Sequence, residues 1–112
     1  MRKSLRALRG SFLLSGNEKI MSLSKTKTSF YRRLLLAYLV DNGFNTPPKI
    51  QAEINIPRRT AQDTIAALQE LDIECVFVGA LKNGHYQVES WGPFDKIWIR
   101  ENIQRIREAL DY

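Results

Sequence analysis

The sequence predicts an α+β domain in which three helices are followed by a β-hairpin and a last helix. Apolar residues recur at helical spacing in four segments, a pattern typical of amphipathic helices. Asn83 and Gly84 stand between two short β-prone stretches, which is the strongest local signal for a hairpin. With 112 residues, of which 44% are hydrophobic, the chain can form one small core.

The first two helices have clear sequence signals at their ends. Helix 1 is predicted over about residues 26–42, where Ser24 or Thr26 can cap the start and Gly43 follows the end. Helix 2 is predicted over residues 47–54, because a threonine precedes it as its cap and proline is tolerated at the first helical position.

Helices 3 and 4 each carry one apolar stripe. Helix 3 is predicted over residues 57–71, and its buried stripe consists of Ala61, Ile65 and Leu68, with Leu71 as a further candidate. Helix 4 is predicted over residues 95–110, with Asp95 as its cap and with Glu101 and Arg105 as a favourable pair four residues apart. The stripe of helix 4 consists of Ile99, Ile103, Ile106 and Leu110.

The stripe on helix 4 leaves two roles open. It can close the core of its own chain by covering the strand residues Val76 and Val78. It can also pair with the same helix of a second copy across a two-fold axis, which predicts a homodimer through the C-terminal helix.

Residues 75–91 are predicted to form the hairpin, with a two-residue turn at Asn83-Gly84. Such a turn fixes three pairs across the hairpin, namely Lys82 with His85, Leu81 with Tyr86, and Gly79 with Val88. Because side chains alternate across a strand, one face is expected to point into the core. That face contains Phe77, Leu81, Tyr86 and Val88.

The positive charge of the chain is concentrated at its start. The net charge is +5, from 17 Lys and Arg against 12 Asp and Glu. Residues 1–33 hold nine of the basic residues and one acid, whereas residues 34–112 hold eight basic residues and eleven acids. The high isoelectric point is therefore a local property, and it does not by itself indicate a nucleic-acid partner.

Residues 1–20 differ in composition from the rest, being basic and interrupted by Gly10 and Gly16. Three interpretations remain open: a disordered tail or an over-extended gene start, a basic arm that contacts DNA, and a targeting peptide. Met21 is the only other methionine, so the folded domain is expected over residues 21–112.

Several classes of protein are disfavoured by what the sequence lacks. One cysteine (Cys75) and one histidine (His85) cannot form a disulfide or a Cys/His zinc cluster. No segment approaches the roughly 20 apolar residues of a membrane span. No phosphate-binding glycine loop or nucleophile-base pair is present at a favourable spacing. We therefore expect no enzyme, no metal and no cofactor, and a cytoplasmic location.

The order of the elements is that of a winged helix-turn-helix domain. In that fold the third helix, here residues 57–71, enters the DNA major groove, and the hairpin, here residues 75–91, is the wing beside it.

Three segments also resemble a small, largely uncharacterised family of bacterial winged helix-turn-helix proteins. The segments are SKTKTSFYRRLLLAYLVDNGFNT, IPRRTAQDTIAALQELDI and GHYQVESWG. The resemblance covers about residues 22–112, and PRRTAQDTI is its most specific part. It implies the winged fold and a regulatory role.

The outer side of helix 3 near its start is the candidate surface for contacting bases. Arginine can bind guanine, glutamine can bind adenine, and aspartate can accept from cytosine. The candidates are Arg58, Arg59, Thr60, Gln62 and Asp63. Arg59 with Asp63, and Arg58 with Gln62, are also four residues apart, so they can instead satisfy each other on a solvated surface.

Other basic side chains are candidates for phosphate contacts. Four of them lie in the first half of helix 1, which contains no acid: Lys25, Lys27, Arg32 and Arg33. Two more lie at the tip of the hairpin, Lys82 and His85.

The sequence thus predicts a protein that binds double-stranded DNA in a sequence-specific manner and regulates transcription. The alternative is a winged-helix module that binds other proteins and has no affinity for DNA. The near balance of twelve basic and eleven acidic residues over 21–112 supports the alternative.

Overall fold

The computed structural model of the protein describes residues 23–112. Its helices and strands follow the predicted order, which confirms the α+β class and the winged layout. The elements are α1 (Lys25–Asp41), α2 (Pro47–Ile54), α3 (Arg58–Ala66), β1 (Glu74–Val78), β2 (His85–Ser90) and α4 (Lys96–Leu110). The expectations for residues 1–20 lie outside the described residues.

Three of the helices begin at the side-chain caps that the sequence predicts. Ser24 Oγ accepts from the amide of Lys27 at 3.0 Å. Thr46 and Asp95 cap α2 and α4 in the same way, by accepting from Lys49 N and Ile97 N. Each cap satisfies one amide that the helix itself leaves unpaired. The predicted bounds of α2 are confirmed, and those of α1 are shifted by one residue.

Helix α1 lies at the centre of the domain. Leu34, Leu35, Leu36 and Ala37 are each at most 1% exposed. Because successive helical residues are about 100° apart, four consecutive buried side chains require neighbours on almost every side of the helix. These neighbours are α3, α4, α2 and β2.

A short turn joins α2 to α3. Asn55 adopts a left-handed conformation with φ 51°, which asparagine tolerates better than most residues. Ile56 is 6% exposed and anchors the turn in the core. The Gln51 side chain donates to the Ile56 carbonyl at 3.2 Å, so the angle between the two helices is held by a hydrogen bond.

The third helical segment changes form along its length. Its α-helical part ends at Ala66, and a 3₁₀ helix continues from Ala67 to Leu71 before Asp72 turns left-handed at φ 62°. Tightening of this kind is common at helix C-termini. The predicted extent to Leu71 therefore holds for the helical segment as a whole, whereas Pro57 is its cap and not its first residue. The predicted inward stripe of Ala61, Ile65 and Leu68 is confirmed.

The predicted register of the hairpin is wrong. His85 pairs with Val78 instead of Lys82, and Tyr86 pairs with Phe77 instead of Leu81. Val88 pairs with Cys75 instead of Gly79. The connection is thus a six-residue loop over 79–84.

Backbone conformation explains the different turn. A type I′ turn needs positive φ at both central residues, and neither Asn83 nor Gly84 has it. Gly79, at φ 94°, ends the strand instead. Gly84 is needed for space, because a Cβ there would overlap the Phe77 ring and the Ala80 carbonyl.

The shift of four residues preserves the predicted faces, because side chains alternate with a period of two. Tyr86 and Val88 pack against the core as expected. Phe77 remains 43% exposed, although its ring packs edge-on against the Tyr86 ring with the two ring centres 5.2 Å apart. Leu81 leaves the strand altogether and is 93% exposed, so its expected place in the core is wrong.

Helix α4 packs chiefly against α1 and leaves the outer face of the hairpin open. Val76 and Val78 are 37% and 36% exposed, so the expected cover over them is wrong. Ile99 and Ile106 are buried against the core. The stripe of α4 is therefore used inside its own chain, with α1 as its neighbour.

Two polar clusters fix α4 in place. Asp41, at the end of α1, accepts from Trp91 Nε1 at 3.3 Å and pairs with Lys96 Nζ at 3.5 Å. Near the other end of α4, Arg107 forms a half-buried ion pair with Glu53 of α2 at 3.0 Å. These contacts join both ends of α4 to the helices that carry the candidate site.

The geometry of the hairpin loop predicts different responses to two neighbouring substitutions. Gly84→Ala should lower the free energy of unfolding by about 1–3 kcal/mol, because the added methyl overlaps Phe77. Asn83→Ala should change it by less than about 0.5 kcal/mol, because Asn83 is exposed and needs no special backbone conformation. Urea unfolding of both variants measures this. A larger loss for Asn83→Ala would favour a type I′ turn instead.

Candidate nucleic-acid interface

The first two turns of α3 present a polar surface to solvent. Arg58, Arg59, Gln62 and Asp63 are exposed, and Thr60 is half-buried. Ala61 is 0% exposed and points to the opposite side. The structure thus brings the five predicted base-contacting residues of this helix together at its start.

Helix α3 is the one α-helix of the described residues that begins without a side-chain cap. Pro57 occupies the cap position and offers no side-chain acceptor. The first bond within the helix runs from the Ala61 amide to the Pro57 carbonyl at 3.1 Å. The amides of residues 58–60 therefore have no partner within the helix, and they give its start partial positive charge.

The two arginines at this start are not equivalent. Arg59 Nε lies 3.7 Å from Asp63 Oδ2, with side chains 89% and 72% exposed. Pairs so exposed contribute at most about 1 kcal/mol, so solvent or a ligand can replace this contact. Arg58 has no ion-pair or hydrogen-bond partner for its side chain in the part of the chain that the structure describes. Of the two pairs expected within α3, the pair of Arg59 with Asp63 is therefore present, and the pair of Arg58 with Gln62 does not form in the described residues.

The basic residues of α1 are directed to different places. Arg33 forms an ion pair with Glu70 at 3.3 Å. Glu70 lies near the C-terminal end of the helical segment that α3 begins, roughly 20 Å along it from Arg58. Arg32 Nε donates to the Tyr112 hydroxyl at 3.3 Å. Lys27 Nζ lies 5.2 Å from the centre of the Tyr31 ring. Lys25 is exposed at the helix start.

The hairpin is bonded to the loop that precedes α2. The Tyr86 amide donates to the Asn45 carbonyl at 2.8 Å, one residue before the Thr46 cap. This bond fixes the position of the hairpin relative to α2 and α3. Lys82 is exposed in the loop, and His85 is half-buried at the start of β2.

Comparison with known proteins agrees with this geometry. A family model described as a winged helix-turn-helix matches residues 25–110. The chain belongs to this winged helix-turn-helix family. It is also similar to a crystal structure of a DUF2131 family protein from Shewanella amazonensis SB2B, with 30% identity and a TM-score of 0.73. That similarity covers 79% of this chain and 94% of the other. A search of curated protein sequences found no match.

Membership of the winged helix-turn-helix family gives the elements their usual names. Helices α2 and α3 are the helix-turn-helix, α3 is its second helix, and β1 with β2 is the wing. The fold is typically non-enzymatic, and within residues 23–112 no helix is long and apolar enough to cross a membrane.

One candidate of the winged helix-turn-helix was missed from the sequence. Lys49 is exposed in the first turn of α2, and its Nζ reaches only the Asn45 side chain at 3.4 Å. In helix-turn-helix proteins the first helix crosses the DNA backbone, so a cation here belongs among the candidates. The signal available in the sequence was its place two residues after Pro47.

Cys75 faces the core from β1 and is not arranged for chemistry. Burial raises the pKa of its thiol from 9.0 to about 11, although a backbone hydrogen bond from Gln87 favours the thiolate in part. A raised pKa lowers the amount of reactive thiolate. The described residues also contain no group of three or more His, Cys, Asp or Glu that could hold a metal ion.

The raised pKa of Cys75 predicts slow alkylation. At pH 8 the native thiol should react with iodoacetamide far more slowly than the urea-unfolded chain, because its thiolate fraction is smaller by about a hundredfold. Between pH 9 and 11 the folded state holds this proton more tightly than the unfolded chain, so stability should fall as pH rises. Cys75→Ser is the unlabelled control, and equal rates for native and unfolded protein would contradict the burial.

Proposed function

We propose that the protein binds specific DNA sequences through the start of α3 and regulates transcription. The observation that carries this proposal is the exposed set of Arg58, Arg59 and Gln62 at the uncapped start of the second helix of a winged helix-turn-helix. In this class of domain that end of the helix meets the base edges.

The side chains at the start of α3 have complementary chemistry for base edges. Arg58 and Arg59 suit the O6 and N7 acceptors of guanine, and Gln62 suits the N6 and N7 atoms of adenine. Thr60 can donate to a base or a phosphate. Asp63 is close enough to orient Arg59, and that supporting role suits a carboxylate near phosphates better than a direct contact.

Phosphate contacts are proposed at four places. The free amides of residues 58–60 suit a phosphate oxygen, and Lys49 lies on the helix that crosses the backbone. Lys82 and His85 lie on the wing, and Lys25 and Lys27 lie at the start of α1. Arg32 and Arg33 have partners within the chain, so the proposal gives them no part in binding.

Two copies are proposed to act together through α4. A symmetric dimer of this kind contacts two half-sites roughly 34 Å apart, one turn of the double helix. A cytoplasmic location is proposed as well, because the DNA of a bacterium lies in the cytoplasm.

A protein-binding module is the second candidate function. Two observations favour it: the twelve basic residues of 21–112 are almost balanced by eleven acids, and Val76, Val78 and Leu81 are exposed on the wing. Such a module would not need a net positive surface.

Selection from random duplexes tests the proposal most directly. The full chain should enrich a common sequence whose binding weakens steeply with salt, because phosphate contacts release counterions. Lys82→Ala should weaken binding to all sequences alike and lower the salt slope by about one unit. Arg100→Ala removes the same charge from α4 and should leave the slope unchanged. A protein without salt-sensitive duplex binding would be the protein-binding module instead.

Arg59→Ala should cost about 1–3 kcal/mol of specific binding and relax the preference at one base position. Asp63→Ala should cost less, and adding it to Arg59→Ala should change little further, because Asp63 acts through Arg59. Titration of the selected duplex and a random duplex with each variant measures these effects. Gln69→Ala, exposed at the far end of the segment, is the control. Equal losses on both duplexes for Arg59→Ala would mean that Arg59 contacts no base.

A further inference from the structure

We infer that the outward side of α4 is a self-complementary surface for a second copy of this chain. The inward stripe of α4 is already buried against its own core, so it is not available for a partner. The outward side instead exposes Ile97 and Trp98, which are 53% and 43% exposed. Tryptophan and arginine side chains are enriched at the centres of interfaces.

Four exposed residues form a row along α4, each four positions after the last: Ile97, Glu101, Arg105 and Ala109. Residues at this spacing form one ridge that is inclined by about 26° to the helix axis, so a second α4 meets the whole ridge when the two helices cross at about 50°. If a second α4 runs antiparallel about a two-fold axis near residue 103, Glu101 faces the second copy's Arg105, and Arg105 faces its Glu101. Ile97 and Ala109 then meet at both ends. The order apolar, acidic, basic, apolar is therefore complementary to itself, as a two-fold interface requires.

The charges of this row are available for a partner. Glu101 has no basic group within 4.0 Å among the residues that the structure describes, so the expected pair with Arg105 in the same helix does not form. Arg105 instead donates from Nη2 to Asn102 Oδ1 at 3.2 Å, and its guanidinium lies 5.6 Å from the centre of the Trp98 ring. These contacts hold Arg105 on the outward side beside an exposed aromatic ring.

This inference names the surface of the homodimer proposed above, but it does not depend on DNA binding. Association of α4 with its copy is measured on the protein alone, whereas binding of a single half-site is measured on DNA alone. A monomer that binds one half-site would overturn the inference and leave the DNA proposal intact. A dimer that binds no duplex would leave the inference intact and overturn the DNA proposal.

Charge exchange tests the pairing of Glu101 with Arg105 across the axis. The full chain should dimerise in sedimentation equilibrium at concentrations up to about 1 mM. Glu101→Arg and Arg105→Glu should each weaken self-association by about tenfold or more, because like charges then meet twice. An equimolar mixture of the two variants, one carrying a mass tag, should form the mixed dimer with about the affinity of the parent protein, because both pairs are restored.

Arg100→Glu is the matched control for Arg105→Glu, because it makes the same charge change on an exposed residue of α4 outside the row. It should leave the dimer unaffected. Circular dichroism confirms that each variant is folded before its association is compared. A parent protein that stays monomeric throughout overturns the inference. Equal association of the parent and both variants, or a mixture that forms no mixed dimer, overturns it as well.

Discussion

The enclosure of α1 is the constraint on which the rest of the structure depends. Leu34, Leu35 and Leu36 occupy three different sides of the helix and are all at most 1% exposed. Each contributes roughly 1.5–3 kcal/mol by leaving water, and each needs a different neighbour to do so. Helices α3 and α4 and strand β2 are these neighbours. A hairpin of two strands has little stability alone, so the wing in particular depends on this packing.

The same packing decides which cations remain available. Two arginines of α1 have partners in neighbouring parts of the domain. Arg33 forms an ion pair with Glu70, and Arg32 donates a hydrogen bond to the Tyr112 hydroxyl. Both arginine side chains are half-buried and have partners within the domain. The exposed cations proposed for a ligand lie where the chain enters a helix or turns: Lys25 and Lys27 at α1, Lys49 at α2, Arg58 and Arg59 at α3, and Lys82 on the wing.

The sequence predicts the helices well, because their caps and apolar periodicity are local properties. The register of the wing is different. Asn83-Gly84 is compatible with a tight turn, but the close approach of Gly84 to Phe77 and the left-handed Gly79 depend on the packed hairpin. The element against which the α4 stripe packs is likewise decided by tertiary structure, and that element is α1. For the candidate site, Arg58, Arg59 and Gln62 follow from helical periodicity, whereas Lys49 became a candidate once its exposed place in the first turn of α2 was known.

If the protein binds DNA as proposed, the small net charge of residues 21–112 leaves little to general electrostatic attraction. Charges separated by more than about 8–10 Å are largely screened at physiological salt, so a domain with one excess basic residue gains little from its overall field. Affinity must then come from cations and amides that touch the ligand directly. At the start of α3, Arg58, Arg59 and three amides without a partner in the helix lie within one helical turn, and Asp63 is placed to orient Arg59. A site of this kind loses much of its binding on a wrong sequence, because arginines that miss their acceptors have little else nearby to hold them.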